Sequence, residues 1–249
     1  MTNEATQFEV LNSQDHADLR VITDYRSSFG DAQMQVMVFP FEFRNIQACY
    51  PIFFQADAND QFYPVALLGF EEGENLFLDE PNWRAPYVPA MLRRQPFLVG
   101  VKDANTEAGG TTQARVLSID LNHPRVSRDE GEALFKPLGG RTDFLEEQAG
   151  LLETLHDGLS HCQEFTNALA EQGLIESVTL DISLSNGSRN QLIGLSGINE
   201  ERVQELSGDV LEEFNRRGFL LPLFMAMASS TNMRTLIDLK NEQVESASG

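Results

Sequence analysis

Between Thr142 and Gln172 apolar residues recur at spacings of three, four and seven, at Leu145, Leu152, Leu155, Leu159, Cys162 and Leu169. That period keeps them on one narrow stripe of a helix. The ends carry matching signals: Thr142 is placed as N-cap with Asp143 in the first turn, and Gly173 follows the last turn. Two readings of the stripe stand. It packs on the protein's own sheet, the preferred reading because surface helices are routinely amphipathic, or it forms a coiled-coil seam between the subunits of a homodimer.

A different period governs Val178, Leu180, Ile182 and Leu184, which alternate with polar residues as a strand with one buried face does. Asn186-Gly187 then predicts a type I′ hairpin turn, and the second strand follows within SRNQLIGLS. Upstream, Met34 to Pro40 reads as a strand and Phe41 to Tyr50 as a helix, with Phe43 and Ile46 on one side and Pro51 closing it. Ile52 to Gln55 and Tyr63 to Phe70 are predicted as an antiparallel pair, and Asn75 to Leu78 as a third short strand. Arg84 to Arg94 reads as a short helix entered through Pro86 or Pro89 and ended by Pro96.

Phe97 to Lys102 and Arg115 to Leu121 are predicted strands on either side of the polar, Gly-rich loop 103–113, expected to be exposed and mobile. Asn199 to Ser207 is a capped helix, and Asp209 to Lys240 reads as two helices meeting near Arg217-Gly218. Together these elements predict an α+β fold: a mainly antiparallel sheet covered by the long central helix and the C-terminal helices. A single domain over residues 1–249 is expected, with 1–6 and 241–249 as flexible ends.

Charge removes some function classes. The formal net charge is −20, from 38 acidic against 18 basic residues, so the average surface repels phosphate backbones and anionic lipid. No nucleic-acid partner is expected. The most apolar run, Phe219 to Ala228, contains Pro222 and is too short to cross a bilayer, so no membrane insertion is expected and a buried helix is. The N-terminal residues carry acids and amides where a secretory signal needs a basic start and an apolar core. A cytoplasmic location is therefore expected. Cys49 and Cys162 lie far apart and read as small buried hydrophobes rather than a disulfide framework.

Chemistry-bearing motifs are sparse. His16, His123, His156 and His161 are scattered, and none belongs to a metal-ligand or zincin pattern, so they read as surface histidines. The chain has neither phosphate-binding glycine motif nor a nucleophile elbow. No metal, cofactor or catalytic residue is expected. The dense cluster is instead Trp83, Arg84, Tyr87, Arg93 and Arg94, where guanidinium groups beside aromatic faces could cradle a carboxylate or an acidic peptide. Arg93 and Arg94 are adjacent, so on a helix they point roughly 100° apart. The simpler alternative is that these arginines pair with acids of the chain itself, for example Glu42, Glu71, Glu74 or Asp79.

The same stretch resembles the SapC family of bacterial proteins. The likeness rests on Tyr50-Pro51-Ile52 with Phe54, Pro64 to Gly69, Asn75-Leu76-Phe77, Trp83, Tyr87 to Ala90, and Arg93-Arg94 followed by Pro96-Phe97. It continues at Ile119-Asp120, Gly131-Glu132, Leu134-Phe135, Thr142, Gly173-Leu174, Asn199-Glu200 and Arg217-Gly218. Gln95 departs from the aromatic residue that such proteins tend to carry after the arginine pair. The resemblance implies a non-catalytic accessory or binding role, in surface-layer or envelope biology or beside a peptide- or protein-modification pathway, with a protein or peptide partner. It transfers no catalytic residue. Two alternatives remain open: an enzyme or enzyme subunit acting on a small anionic or peptide substrate near Trp83, Tyr87 and Arg93, and a structural surface-layer component.

Overall fold

A computed structural model describes residues 6–105 and 111–248, with side chains described for 6–101 and 114–246. The strands are β1 (Phe8–Val10), β2 (Arg20–Val21), β3 (Gln35–Met37), β4 (Ile52–Ala56), β5 (Phe62–Leu67), β6 (Leu78–Asp79), β7 (Asn82–Trp83), β8 (Phe97–Asn105), β9 (Thr111–Asp120), β10 (Val126–Ser127), β11 (Glu132–Ala133), β12 (Ile175–Ser183) and β13 (Arg189–Ile198). The α-helices are α1 (Phe43–Ile46), α2 (Ala90–Arg93), α3 (Asp143–Glu171), α4 (Glu200–Gln204), α5 (Gly208–Arg216), α6 (Leu220–Ser229) and α7 (Met233–Ser248). The class is α+β, with antiparallel sheets, a long helix and a run of helices from Glu200 onward.

The main sheet has the order β12-β13-β4-β5-β3, so the late hairpin joins the early strands through the pairing of Ser196 with Phe54. A second sheet, β1-β9-β8, and a small one, β10-β2-β11, stand apart from it, where one larger sheet was expected. Two apolar clusters fill the interior. One gathers around Phe43, Tyr50, Phe54, Leu67, Phe165 and Phe219, the other around Phe39, Phe97, Ile119, Leu145 and Leu155, and Met91 of α2 packs against both.

Helix α3 runs beside both sheets. Thr142 caps it, accepting from the Leu145 amide at 3.3 Å, a contribution of about 1 kcal/mol. Leu145, Leu152, Leu155, Cys162 and Leu169 are buried within the protein's own core, as the intramolecular reading of the stripe requires. Each fully buried leucine there is worth about 1.5–3 kcal/mol relative to an exposed one. Leu159 is the exception, 49% exposed.

The hairpin lies at Asn186-Gly187, with a different turn from the one predicted. Gly187 alone has positive φ, at +85°, and its amide donates to Leu184 O at 3.0 Å. Asn186 instead turns its Oδ1 onto the Ser188 amide at 2.9 Å. This is a type I turn followed by a left-handed glycine, which an asparagine that bonds its own backbone favours.

Other elements differ for identifiable reasons. The helix expected over Arg84 to Arg94 is confined to Ala90–Arg93, because residues preceding Pro86 and Pro89 are driven away from helical ψ. Asn75 to Phe77 does not form a strand, since the Asn75 side chain takes up the local backbone, donating to Asp31 O at 2.8 Å and accepting from Phe77 N at 3.1 Å. Strands β8 and β9 continue through 105 and from 111, across most of the expected loop 103–113, and its centre, 106–110, lies outside the described residues.

The C-terminal region holds three helices where two were predicted. The break at Gly218 is present, and a further one falls at Ser230–Asn232. There the Ser229 hydroxyl accepts from Ile52 N at 2.8 Å, and Asn232 donates to Gln47 O at 2.8 Å, which docks the bend onto the start of β4. Helix α6 buries Pro222, Leu223 and Ala226 but leaves Leu221 and Phe224 exposed, so the buried helix expected there is buried on one side only. Helix α7 runs to Ser248, across the segment expected to be a flexible tail.

Candidate functional site

Two of the five candidate residues belong to a closed hydrogen-bond chain. Trp83 on β7 donates Nε1–H to the Tyr50 hydroxyl at 2.7 Å, and that hydroxyl donates to the backbone oxygen of Tyr87. The Tyr87 hydroxyl donates to Glu42 Oε2 at 2.8 Å. Glu42 is buried and also accepts from Ala90 N at 3.0 Å and Phe39 N at 3.2 Å. Burial pushes the Glu42 carboxyl above the usual carboxylate range, against the pull of those hydrogen bonds. Burial likewise raises the Tyr50 phenol, and raises that of Tyr87 with the Glu42 charge adding to it. Phe77 stands edge-on to Tyr50 at 4.6 Å between centroids, and Tyr25 meets Trp83 at 5.4 Å. Every polar group in this chain has an internal partner.

The arginines go to three places. Arg84 lies 3.9 Å from Asp79, one of the acids expected for it, and 3.6 Å from Glu242 of α7. Arg93 pairs with Glu147 of α3 at 3.2 Å. Glu71 and Glu74, other expected partners, are instead bound by Lys240. Exposed pairs of this kind contribute little, roughly 0–1 kcal/mol.

Arg94 differs from both neighbours. Half-buried, it donates Nη1–H to Phe97 O at 2.9 Å, and no carboxylate pairs with it among the described residues. Burial lowers its proton affinity. It lies in a cleft of about 240 Å³ whose walls are Met37, Phe39, Met91, Leu98 and Leu155, with Leu159 at the rim. Phe41 lies 44% exposed and stacked on Phe39 at 5.5 Å, and thereby extends the apolar surface. On its other side Arg94 shares a second hollow, of about 290 Å³, with Phe8, Asp120 and His123. The five candidates are therefore not one site: Trp83 and Tyr87 are structural partners, and the arginines diverge.

Reading the sequence missed Glu42 and Tyr50 as the centre of the aromatic chain, and it missed the ion pair of Arg125 with Asp31. That pair is fully buried at 2.6 Å, with Arg125 also between the rings of Phe29 and Tyr25 at 5.1 and 5.4 Å. Nothing in the spacing of residues 94 apart announces it. His16 is also buried, against the surface position expected, with Glu9 at 3.3 Å and the Asn12 amide at 3.2 Å on its two nitrogens. Burial holds both cysteines protonated, raising Cys49 and pushing Cys162 up to about 12.

Among the described residues no group of three or more His, Cys, Asp or Glu side chains could hold a metal ion, and no helix is long and apolar enough to cross a membrane. No curated protein and no solved structure matches the chain. The SapC family model matches residues 11–236, which span the aromatic chain, the diverging arginines and the helices that enclose them, and the chain belongs to the SapC family.

Proposed function

We propose that this SapC-family chain is a non-catalytic binding or accessory protein that seats a protein or peptide partner in the cleft beside Arg94. The observation that carries the reading is Arg94 itself: a half-buried cation with no carboxylate partner among the described residues, set among apolar side chains. A partly desolvated charge without a counter-charge is costly to hold. An acidic side chain or C-terminal carboxylate from a partner would relieve that cost through the unused N–H donors of the guanidinium. Apolar residues flanking that acid would cover Leu159 and Phe41. The partner segment is therefore short, apolar and acidic at one point. A cytoplasmic location and an accessory role in an envelope or modification pathway are part of the proposal.

The test is parallel affinity capture from the native cell by the wild type, Arg94→Met and Arg84→Ala. Wild type and Arg84→Ala should retain one common protein that Arg94→Met loses. Equal capture by all three, or nothing above background, overturns the reading, and recovery of the protein in the envelope fraction overturns the location.

A further inference from the structure

Arg93, one residue before Arg94, lines a different cavity, of about 190 Å³, together with Tyr25, Gln95, Arg125, Glu147 and Gln148. Its polar groups are unusual in what they lack. Arg125 is 3% exposed and spends both terminal nitrogens, Nη1 on the backbone oxygens of Ile22 and Asp24 and Nη2 on Asp31. Its Nε–H has no acceptor among the described residues. Gln148 is 7% exposed, and neither its Oε1 nor that of Gln95 has a donor among the described residues.

Four buried side-chain atoms without a hydrogen-bond partner occur among the described residues. Three of them belong to residues lining this one cavity, and the fourth, Asp31 Oδ1, belongs to the carboxylate that holds Arg125. Buried polar groups in folded proteins are normally paired, and orphans gathered at one place call for an explanation. They also come from three separate parts of the chain, the end of α2, the turn before β10 and helix α3. No single strained loop accounts for them.

The unpaired groups are sorted by polarity. On the donor side stands the unpaired Arg125 Nε–H, flanked in the same lining by the Tyr25 hydroxyl and by the Arg93 guanidinium, whose Nη2 is already on Glu147. On the acceptor side stand the carbonyl oxygens of Gln95 and Gln148. Glutamine amides rotate to offer either end. Guanidinium donors and a phenol suit a carboxylate, and amide oxygens suit N–H groups on the same molecule.

We propose that this cavity binds a small carboxylate that also carries N–H donors, in the manner of an amino acid or dipeptide, held between Arg93, Arg125 and Tyr25 on one side and Gln95 and Gln148 on the other. This site is independent of the Arg94 cleft, and the Arg94→Met variant leaves it intact.

The experiment titrates the full-length, ¹⁵N-labelled protein with glycylglycine, acetate and acetamide, reading the side-chain amide signals of Gln95 and Gln148. Glycylglycine should shift both saturably, while acetate and acetamide, each lacking one half of the match, bind at least about tenfold more weakly. Gln148→Leu removes the unpaired oxygen from the interior and should melt at a higher temperature, yet bind glycylglycine about tenfold more weakly. Gln95→Leu serves as the second variant and should weaken binding similarly. No saturable shift with glycylglycine means the cavity holds water only and overturns the proposal. Acetate binding as tightly as glycylglycine, or unchanged glycylglycine affinity in both leucine variants, overturns it as well.

Discussion

The Glu42 network and the Arg94 cleft meet at the same short helix, α2, and they handle buried polarity in opposite ways. Glu42 is the more buried of the two charged groups, yet Tyr87, Ala90 and Phe39 all donate to it, and the chain of bonds runs on through Tyr50 to Trp83. Arg94 keeps more solvent but has, among the described residues, one backbone acceptor and no acid. Depth alone does not decide whether a buried charged group is satisfied. What distinguishes the two is whether the surrounding fold completes the group's hydrogen bonds. Arg125 shows the intermediate case, since its ion pair is complete while its Nε is left over beside a cavity.

If that contrast is right, variants should rank by how many internal partners they orphan. Asp31→Ala leaves the buried Arg125 charge without its carboxylate and should cost the most, about 3–5 kcal/mol in urea unfolding. Glu42→Ala strips the acceptor from two backbone amides and a phenol, and a loss of about 3 kcal/mol is expected. Tyr50→Phe leaves the Trp83 indole N–H unaccepted, for about 1–2 kcal/mol, and should also move the tryptophan emission. Arg94→Met belongs at the bottom of the order, within about 1 kcal/mol of wild type, because only a bond to Phe97 O is lost. A large destabilisation by Arg94→Met would erase the contrast between the two regions.

The pH dependence sharpens the same point. Burial raises the Glu42 carboxyl, so the native state keeps that proton to higher pH than the unfolded chain does. The resulting contribution is fully present below the ordinary glutamate range and is lost as pH rises through the raised native value. As pH rises from the ordinary glutamate range upward, the stability of wild type relative to Glu42→Gln should therefore fall. Taking the difference between the two proteins cancels exposed carboxylates such as Asp57 and Glu80, whose protons are lost more readily through hydrogen bonds to neighbouring backbone and serine groups. A difference that stays flat would mean the three donors outweigh burial at Glu42.

Elements held by local patterning are legible in the sequence. Helix α3 announced itself through Thr142, the leucine stripe and Gly173, and the β12–β13 hairpin through its alternation and its Asn-Gly pair. Turn detail escaped, because Asn186 had a competing use for its side chain. The candidate site was legible only in part. Residue types singled out Trp83, Arg84, Tyr87, Arg93 and Arg94 as a cluster, and the divergence of Arg93 from Arg94 follows from helix geometry. Of their partners Asp79, beside Arg84, was anticipated, while Glu147, Glu242 and Glu42 were not, since they lie 54, 158 and 45 residues away from Arg93, Arg84 and Tyr87.

By itself, then, the sequence determined the α+β class, the long helix with its cap and the antiparallel pairs, since each depends on residues a few positions apart. Tertiary structure alone decided which polar groups are finished and which are left open. Completion of a hydrogen bond depends on groups brought together from distant segments, as Asp31 is to Arg125 across 94 residues. Arg94 parted from Arg93 and Arg84, and Gln148 came into view at all, only when the folded neighbourhood supplied no carboxylate to the one and no donor to the oxygen of the other among the described residues.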